Sequence, residues 1–574
     1  MQVGICTAKT GYQAMHTGLD STISTSVAIV GGGPVGLILA LFLDSYGIPS
    51  VIFEMEKTTR WHPKGSTHNA RTMEHYRRLG LSQQIRQLGL PCDHPTDVAY
   101  FTRYRDWELA RIRMPSTEEK LSGVSISAWN DQVPEPIHRA NQMYVEKYIQ
   151  GYAATRKNIT LKYGCTVSKL EEVPGKVILQ FSSNDGSGLS CVADYVVGCD
   201  GGRSFVRKSL GIRYAGASEL KQKFLGGRML STYIRAPSLY RDYLGSRRAW
   251  HYWVLNPDTR SVLTAINGKD EFLMITRFGE DQASSDPSLV VSQLRIAAGD
   301  PDLEAEILSQ EPWTAGTALV AEKFGRGRIL LAGDSVHLFT PTGGFGMNTG
   351  IDDAANLSWK LAAVLQGWGG EDLIGSYEAE RQPIALRNTQ AARELAKTVG
   401  TVEIPLSLEE DSERGQTARR EVGLILADFA EEYGSLGVQL GARYDGSPLI
   451  IPDGPPPTDT LVNYTPTSIP GGRTPHFWLN DDRAVGASLY DRLGRGFTLL
   501  HFGEDARSLD SWRVSANRLG MPLALLEVSD SKARDLYGVG ITLIRPDQYV
   551  AWRGNKTPDG IDLILSQVSG HRVR

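Results

Sequence analysis

At 574 residues, 41% hydrophobic and 22% charged, the chain has the composition of a soluble globular protein and the length of roughly three to four domain-sized units. A formal charge of -4 and a pI near 6.3 give no reason to expect nucleic acid or an anionic membrane surface as partner. Five cysteines, Cys6, Cys92, Cys165, Cys191 and Cys199, form no C-x-x-C pair; they argue against a disulfide framework, a structural metal or a dithiol centre, and favour a reducing, cytoplasmic setting.

Residues 1–24 scatter Lys9, His16 and Asp20 among small polar residues and lack the apolar run of a secretory signal, so they read as a flexible tail. Val27 to Leu43 is apolar enough to suggest a membrane helix, but Gly31, Gly32, Gly33 and Pro34 break it and Asp44 ends it. The better reading is a strand over Val27–Val30, a glycine turn and a buried helix, with Ser50–Glu54 as the next strand of a βαβ unit. Gly31, Gly33 and Gly36 then satisfy G-x-G-x-x-G in the required context. The first permits the tight turn, the second lets backbone approach a pyrophosphate, and the third allows close helix packing, with Pro34 beside them. Glu54, closing the second strand, stands where an acid accepts hydrogen bonds from ribose hydroxyls.

Asn69 to Leu79 reads as a helix stopped by Gly80. Asp200 follows the strand Tyr195–Gly198, and Asp334 follows Arg328–Ala332. Each acid adjoins a glycine at a strand end, suited to holding cofactor hydroxyls or pyrophosphate; taken singly, each is also an ordinary Asp-Gly turn. From about 225 to 280, strand-like runs alternate with turns at Asn256-Pro257 and Asn267-Gly268, the pattern of an antiparallel substrate sheet placed at about 215–320. Within Trp250–Pro257, strand alternation puts His251 and Trp253 on one face and Tyr252 on the other. Gly343 to Asn348 offers backbone N–H donors at a helix start, those of Gly344, Gly346, Met347 and Asn348 among them, suited to the pyrimidine edge of an isoalloxazine. Jointly the three segments point to FAD. Helical patterns follow over Ile351–Leu365 and Glu371–Gly400, then a proline-rich linker at 401–470 and a compact α/β module at 471–574 with three strands.

Several of these residues carry a family likeness: the glycine fingerprint with Glu54, Arg71 in Asn69–Glu74, Gln142 ahead of an amphipathic helix, Asp200-Gly201 with Ser204 and Arg207, Gly333-Asp334, Pro341 to Asn348, and Tyr377–Pro383. The chain resembles a class A FAD-dependent monooxygenase of the aromatic hydroxylase kind, and is most similar to the phenol hydroxylase branch. The likeness spans about 25–395 and, more loosely, 470–574. It implies an α/β fold in which a Rossmann-type FAD-binding domain within 25–400 is interleaved with the antiparallel substrate sheet and followed by a thioredoxin-like domain. It further implies that Arg71 and Gln142 contact FAD phosphate and ribose, that Asp334 lies near ribityl and pyrophosphate, and that backbone from Gly344 to Asn348 carries the flavin pyrimidine. Lys64, where an arginine is common, holds pyrophosphate or is simply solvated.

By the same likeness the Pro341 carbonyl sits beside the substrate ring and accepts the phenol proton, and the face of Trp253 looks into the ring cavity. His251 then polarises or deprotonates a phenol, unless that aromatic cluster merely packs the sheet; Tyr252 is a further substrate candidate. His337 reads as a packed, hydrogen-bonded residue. Ser66 stands where an aspartate is usual, five residues before Arg71, so the carboxylate base is missing and Ser66 becomes a substrate contact. Phe345 occupies a position often held by glutamine.

The implied reaction uses NADPH or NADH, bound transiently because no second glycine fingerprint exists, to reduce FAD. Oxygen adds at C4a, and the hydroperoxide attacks an electron-rich ring; no metal takes part. Baeyer-Villiger or epoxidation-type oxygenation of a polyketide-like substrate remains open, as does a non-catalytic flavin-binding interaction protein. The last module has no cysteine, which excludes dithiol chemistry and leaves dimerisation or stabilisation as its expected role.

Overall fold

The computed structural model describes residues 22–122, 131–183, 186, 188–218, 227–277, 287–315, 317–479, 486–503 and 506–572. Residues 1–21 of the expected tail lie outside these, but its last three residues already belong to the first strand, Thr22–Val30. That strand is central in a sheet whose parallel core runs Ile329–Leu331, Gly188–Gly198, Thr22–Val30, Ser50–Glu54 and Ile159–Tyr163. Strands buried on both faces read as continuous apolar runs, which is why Val27–Val30 shows no alternation.

The helix Pro34–Ser45 is apolar all round because it is enclosed. It packs between the sheet, the helix Gln142–Ala154 and the long helix Phe345–Leu365. Leu37, Ile38, Leu39 and Leu43 have no exposed surface, and each such burial contributes about 1.5–3 kcal/mol. Among the described residues no helix is long and apolar enough to cross a membrane.

A second sheet has seven strands in the order Glu306–Ala315, Gly227–Arg235, Glu271–Arg277, Arg260–Ala265, His251–Leu255, Val98–Phe101 and Glu108–Ile112. Its last two strands lie far upstream of the range expected for the substrate sheet. The first of them pairs in parallel with His251–Leu255, a long-range contact that local patterning does not reveal.

The segment 401–470 is not a linker. Helix Glu413–Ala427 packs on strand Glu108–Ile112, so closely that a Cβ on Gly423 would lie 2.3 Å from the Leu109 carbonyl oxygen. Leu408, Ala418, Val422 and Leu426 enter the core of the seven-stranded sheet, and Tyr444 and Ile450 enter another cluster. Its prolines punctuate a chain that is pinned by side-chain burial, which composition alone could not disclose.

The C-terminal unit is β-α-β-α-β-β-α: Phe497–His501, Ala506–Arg518, Leu523–Glu527, Ser531–Tyr537, Ile541–Ile544, Val550–Gly554 and Ile561–Val568. The first two strands are parallel and the rest antiparallel, which is thioredoxin-like. Its fourth strand, Val550–Gly554, is absent from the sequence reading because it is short and follows the third after only a tight turn.

A seam of buried charge joins this unit to the flavin-side helices. Arg545 donates to both Glu380 oxygens at 2.7 and 2.8 Å, and Lys360 donates to the same carboxylate at 2.7 Å. Arg473 and Arg71 share Glu74. All of these side chains but Arg71 are wholly inaccessible, and Arg71 nearly so.

Two enclosed histidines give the fold a pH dependence. Burial, reinforced by Arg139 against a bond to the Ala140 carbonyl, lowers His68 to about 4. Burial likewise lowers His476 to about 3, with Arg473 adding to it and the Asp131 carbonyl opposing. Unfolding restores the ordinary value near 6.5, so the unfolded state binds more protons between these limits. Stability is therefore full above about pH 6.5 and declines as pH falls, by about 1–2 kcal/mol per histidine at pH 5. Urea midpoints of the FAD-loaded protein should fall between pH 7.5 and 5; a flat profile would contradict this.

Candidate active site

The three glycine-bearing turns meet at the C-terminal ends of the parallel strands. Gly31 has φ +110° and lies against the Cys199 carbonyl, while Gly36 lies against the Gly31 carbonyl; a Cβ would come within 2.3 and 2.1 Å of those oxygens. Gly333 and Gly350 both face Val35, so the third turn closes over the start of the first helix. Ser335 Oγ donates to the Gly198 carbonyl at 2.7 Å, and the Tyr214 hydroxyl donates to the Asp334 carbonyl. Ser204 caps Phe205–Ser209 by accepting from Arg207 N–H at 2.9 Å, and the Arg207 guanidinium donates to Gly202 and Ser335 carbonyls.

This junction fits a dinucleotide. Helix Pro34–Ser45 has Pro34 in its first turn and no side-chain cap on its N–H groups, and nothing lies within 4 Å of where a Gly33 Cβ would point. Glu54 accepts from Gly32 N–H at 2.6 Å and from Glu56 N–H at 2.9 Å, which fixes the carboxylate at the strand end. Asp200 accepts from Val206 N–H at 3.0 Å through one oxygen, while its other oxygen is buried with no hydrogen-bond partner among the described residues. Burial raises the pKa of Asp200, and likewise that of Asp334, where His337, Lys64 and Arg60 counteract it. An orphaned carboxylate oxygen at a strand end is suited to a ligand hydroxyl.

The loop before the long helix turns through two left-handed residues, Gly343 at φ +74° and Gly344 at φ +66°. Helix Phe345–Leu365 starts there with no side-chain cap. The Pro341 carbonyl already accepts from Gly344 N–H at 3.0 Å and has one lone pair left. Asn348 points inward instead: its amide donates to the Thr67 and Gly344 carbonyls at 2.9 and 2.6 Å and accepts from Asn69 N–H at 2.9 Å. The Phe345 ring packs with Ala391, Ala392 and Val438.

In front of this loop opens a cavity of about 550 Å3, bounded by residues 62–67, Gln142, Asp334 and 338–347 on one side and by the seven-stranded sheet on the other. Lys64 and Gly346 with Met347 line it. Gln142 donates to Glu146 at 3.1 Å, and Ser66 Oγ accepts from Asn141 at 3.1 Å. The sheet side is aromatic: Trp250, His251, Trp253 and Trp313. His251 stacks on Trp250 with centroids 4.8 Å apart, and its Nδ1 lies 3.0 Å from Thr264 Oγ1. Enclosure, with Arg139 adding to it, lowers His251 to about 3, so the ring is neutral at physiological pH. A neutral imidazole of such low basicity polarises a hydroxyl by hydrogen bonding; it does not take its proton.

Two expected contacts lie elsewhere. Arg71 does not line the cavity: it donates to Glu74 at 2.9 Å, to Gln548 at 2.8 Å and to the Asp547 carbonyl at 2.6 Å, committing it to the C-terminal unit. Tyr252 is wholly buried on the opposite face against Phe101 and Tyr104, its hydroxyl accepting from Ala249 N–H at 2.6 Å, as strand alternation requires. Conversely, Arg139, His62, Tyr433 and Gln439 line the cavity without having been singled out. Tyr433 and Gln439 arrive from the segment read as a linker. Arg139 precedes Gln142 by three residues, and its guanidinium lies 3.8 Å over the Trp250 ring.

A parallel-sheet dinucleotide fold opening onto an aromatic cavity defines a nucleotide-dependent enzyme. The FAD binding domain model matches residues 24–392 and the aromatic-ring hydroxylase C-terminal model residues 467–571. The chain belongs to the FAD-dependent aromatic-ring hydroxylases and is an FAD-dependent monooxygenase. It is 31% identical over 575 residues to FAD-dependent monooxygenase apdD of Emericella nidulans, covering 95% of this chain and 90% of that protein. It is equally 31% identical over 575 residues to a putative polyketide hydroxylase of Streptomyces halstedii, covering 94% of each. The solved structure of chromopyrrolic acid-soaked RebC with bound 7-carboxy-K252c matches with a TM-score of 0.86 at 31% identity, over 96% of this chain and 100% of that one. The α/β fold, the family and the FAD cofactor stand as the sequence led us to expect, and the non-catalytic alternative is set aside.

Proposed function

We propose that this monooxygenase hydroxylates a phenolic ring within a polycyclic, polyketide-type aromatic substrate, using O2 and NADPH or NADH. The cavity carries the reading: an aromatic wall faces the glycine loop in a space of about 550 Å3 that the flavin edge and an aromatic ligand would share. The polyketide hydroxylase among its relatives supports the same substrate class.

In this reading Gly31, Gly33 and Gly36 with Pro34 receive the pyrophosphate, Glu54 takes the ribose hydroxyls, and Asp200 and Asp334 hold polyol hydroxyls. Gln142 and Lys64 flank the cofactor, while backbone N–H groups of Gly346 and Met347 meet the pyrimidine edge, on a loop that Asn348 and the Gly344 N–H bond to Pro341 keep in shape. When bound, FAD reduced by a nicotinamide would supply the activated oxygen. The protein's own work is to hold the ring in line and keep the cavity dry. Trp253 and its neighbours would stack the ring, the free lone pair of Pro341 and the hydroxyl of Ser66 would lie toward the substrate oxygen, and neutral His251 would polarise it.

Phenols, hydroxybenzoates and polycyclic phenols should be scored for coupled NAD(P)H consumption and product mass. A gain of one oxygen with the ring retained is expected; lactone formation would favour the Baeyer-Villiger reaction instead. His251→Ala should slow coupled hydroxylation about tenfold, the worth of one hydrogen bond, while FAD content stays unchanged. Unaltered coupled turnover would remove His251 from the reaction.

A further inference from the structure

Arg139 lies on the short strand His138–Arg139, paired in register with Thr67 on the strand Thr67–His68. Its side chain is 3% exposed yet borders the cavity. The guanidinium covers the Trp250 ring on one side and donates to Thr67 Oγ1 on the other. Thr67 in turn abuts the flavin-edge loop: a Cβ on Gly344 would lie 2.8 Å from Thr67 Cβ, and the Thr67 carbonyl accepts from Asn348. One cation thus spans the gap between the ring wall and the loop. Burial, with Arg139 and Arg86 nearby, pulls the pKa of the neighbouring Lys120 well down, so the cation on the cavity wall at this end is Arg139.

We propose that Arg139 determines specificity by taking the substrate as an oxyanion, a ring phenolate seated between Trp250, His251 and the Gly343–Gly344 loop. The proton stays in bulk water, so no base is needed where Ser66 replaces a carboxylate. This inference rests on the hydroxylase reading above. A buried guanidinium is permanently charged and weakly hydrated, which makes it a strong partner for an anionic oxygen in a water-poor site. If the Thr264 hydroxyl donates to Nδ1 of His251, Nε2 carries the proton and becomes a second donor to the same oxygen.

The remaining ionisable groups on the cavity wall are Lys64, His62, Glu311, Asp334 and Tyr433. His62 is held between Ser231 and Ser309 at 2.6 and 2.7 Å. Burial lowers its pKa, Glu311 opposes, and Lys64 and Arg60 add to the lowering, so the His62 end carries charges of both signs. At His251 burial acts in the same direction as Arg139, and no carboxylate opposes it. At the Arg139 end the guanidinium lies over the aromatic wall itself, so the oxygen of a ring stacked there meets it directly.

The test uses FAD-loaded enzyme and three probes: 4-nitrophenol, 4-nitrobenzoate and 4-nitroanisole. In the wild type, bound 4-nitrophenol should keep its phenolate absorption at least about one pH unit below the free compound, a tenfold preference for the anion. Arg139→Met should erase that shift and weaken 4-nitrophenol about tenfold or more, leaving 4-nitroanisole affinity and FAD content unaltered. Should Arg139→Met lose FAD through its contact with Thr67, Arg139→Lys decides: retained FAD with a reduced shift supports the proposal, and an undiminished shift overturns it. It is also overturned if Arg139→Met leaves the titration untouched, if only 4-nitrobenzoate depends on Arg139, or if wild-type enzyme binds none of the probes. Failure of the hydroxylase reading is separate, since it appears as lactone products in the turnover assay.

Discussion

Gly31→Ala is expected to yield a protein that retains almost no FAD and is less stable by about 2–6 kcal/mol, the sum of a strained backbone and an overpacked contact. At φ +110° an alanine is disfavoured whatever the space, and its Cβ would lie 2.3 Å from the backbone oxygen of Cys199. Neither obstacle can relax cheaply, because both belong to the main chain of two central parallel strands. Gly33→Ala isolates the cofactor effect. Its φ is -75° and nothing lies near the added methyl, so the apoprotein should unfold at the wild-type urea concentration. The same methyl occupies the space assigned to the pyrophosphate, and FAD should bind at least about tenfold more weakly, a loss of roughly 1.4 kcal/mol. FAD stoichiometry from visible absorbance, with urea midpoints of the apoproteins, measures both. A yellow Gly31→Ala protein of wild-type stability would refute the first claim, and undiminished FAD affinity in Gly33→Ala would refute the second.

Arg381→Met should lower stability by about 3–5 kcal/mol, because it strands two carboxylates inside the protein. Arg381 is wholly buried; it donates to Asp353 at 2.8 Å and to Asp352, and also reaches the Thr349 carbonyl at 3.2 Å and the Tyr444 hydroxyl at 3.1 Å. Burial alone would raise the Asp352 pKa, but Arg381, His75 and Arg71 bring it far below the ordinary carboxylate range. At Asp353 burial is likewise overcome, by His337 and Arg381. A depressed carboxylate stabilises the fold above its unfolded pKa near 3.9, and that contribution drains away as pH falls below it. The deficit of the variant should therefore be large at pH 7 and shrink below about pH 4. Thermal unfolding followed by flavin fluorescence should show a fall of roughly 2–4 °C at pH 7, small because the unfolding entropy scales with chain length. A fall below about 1 °C would show that the carboxylates' other partners, Arg71 among them, hold the pair without Arg381.

The nucleotide half of this fold was legible because its signals are local. Four β-formers, a glycine turn and an all-apolar helix fall within seventeen residues, Val27 to Leu43. Strand alternation likewise separated His251 and Trp253 from Tyr252, although Tyr252 was still carried as a substrate candidate. What stayed hidden depends on distant pairing. Val98–Phe101 joins the substrate sheet through a parallel contact across some 150 residues, and Tyr433 reaches the cavity from a segment whose prolines suggested a linker. Arg71 shows a different limit: its motif predicted a cofactor contact, but Gln548 and Asp547, almost five hundred residues downstream, engage its guanidinium.

The seam of Glu74, Glu380, Arg473 and Arg545 makes the thioredoxin-like unit a poor candidate for exchange among relatives. A chimera joined near residue 467 inherits acids from one parent and arginines from the other, so a mismatch at any single position leaves a naked ion in a dry interior. Evolutionary change across that boundary is thereby pushed toward paired substitutions, and the module travels with its flavin body as one inherited block.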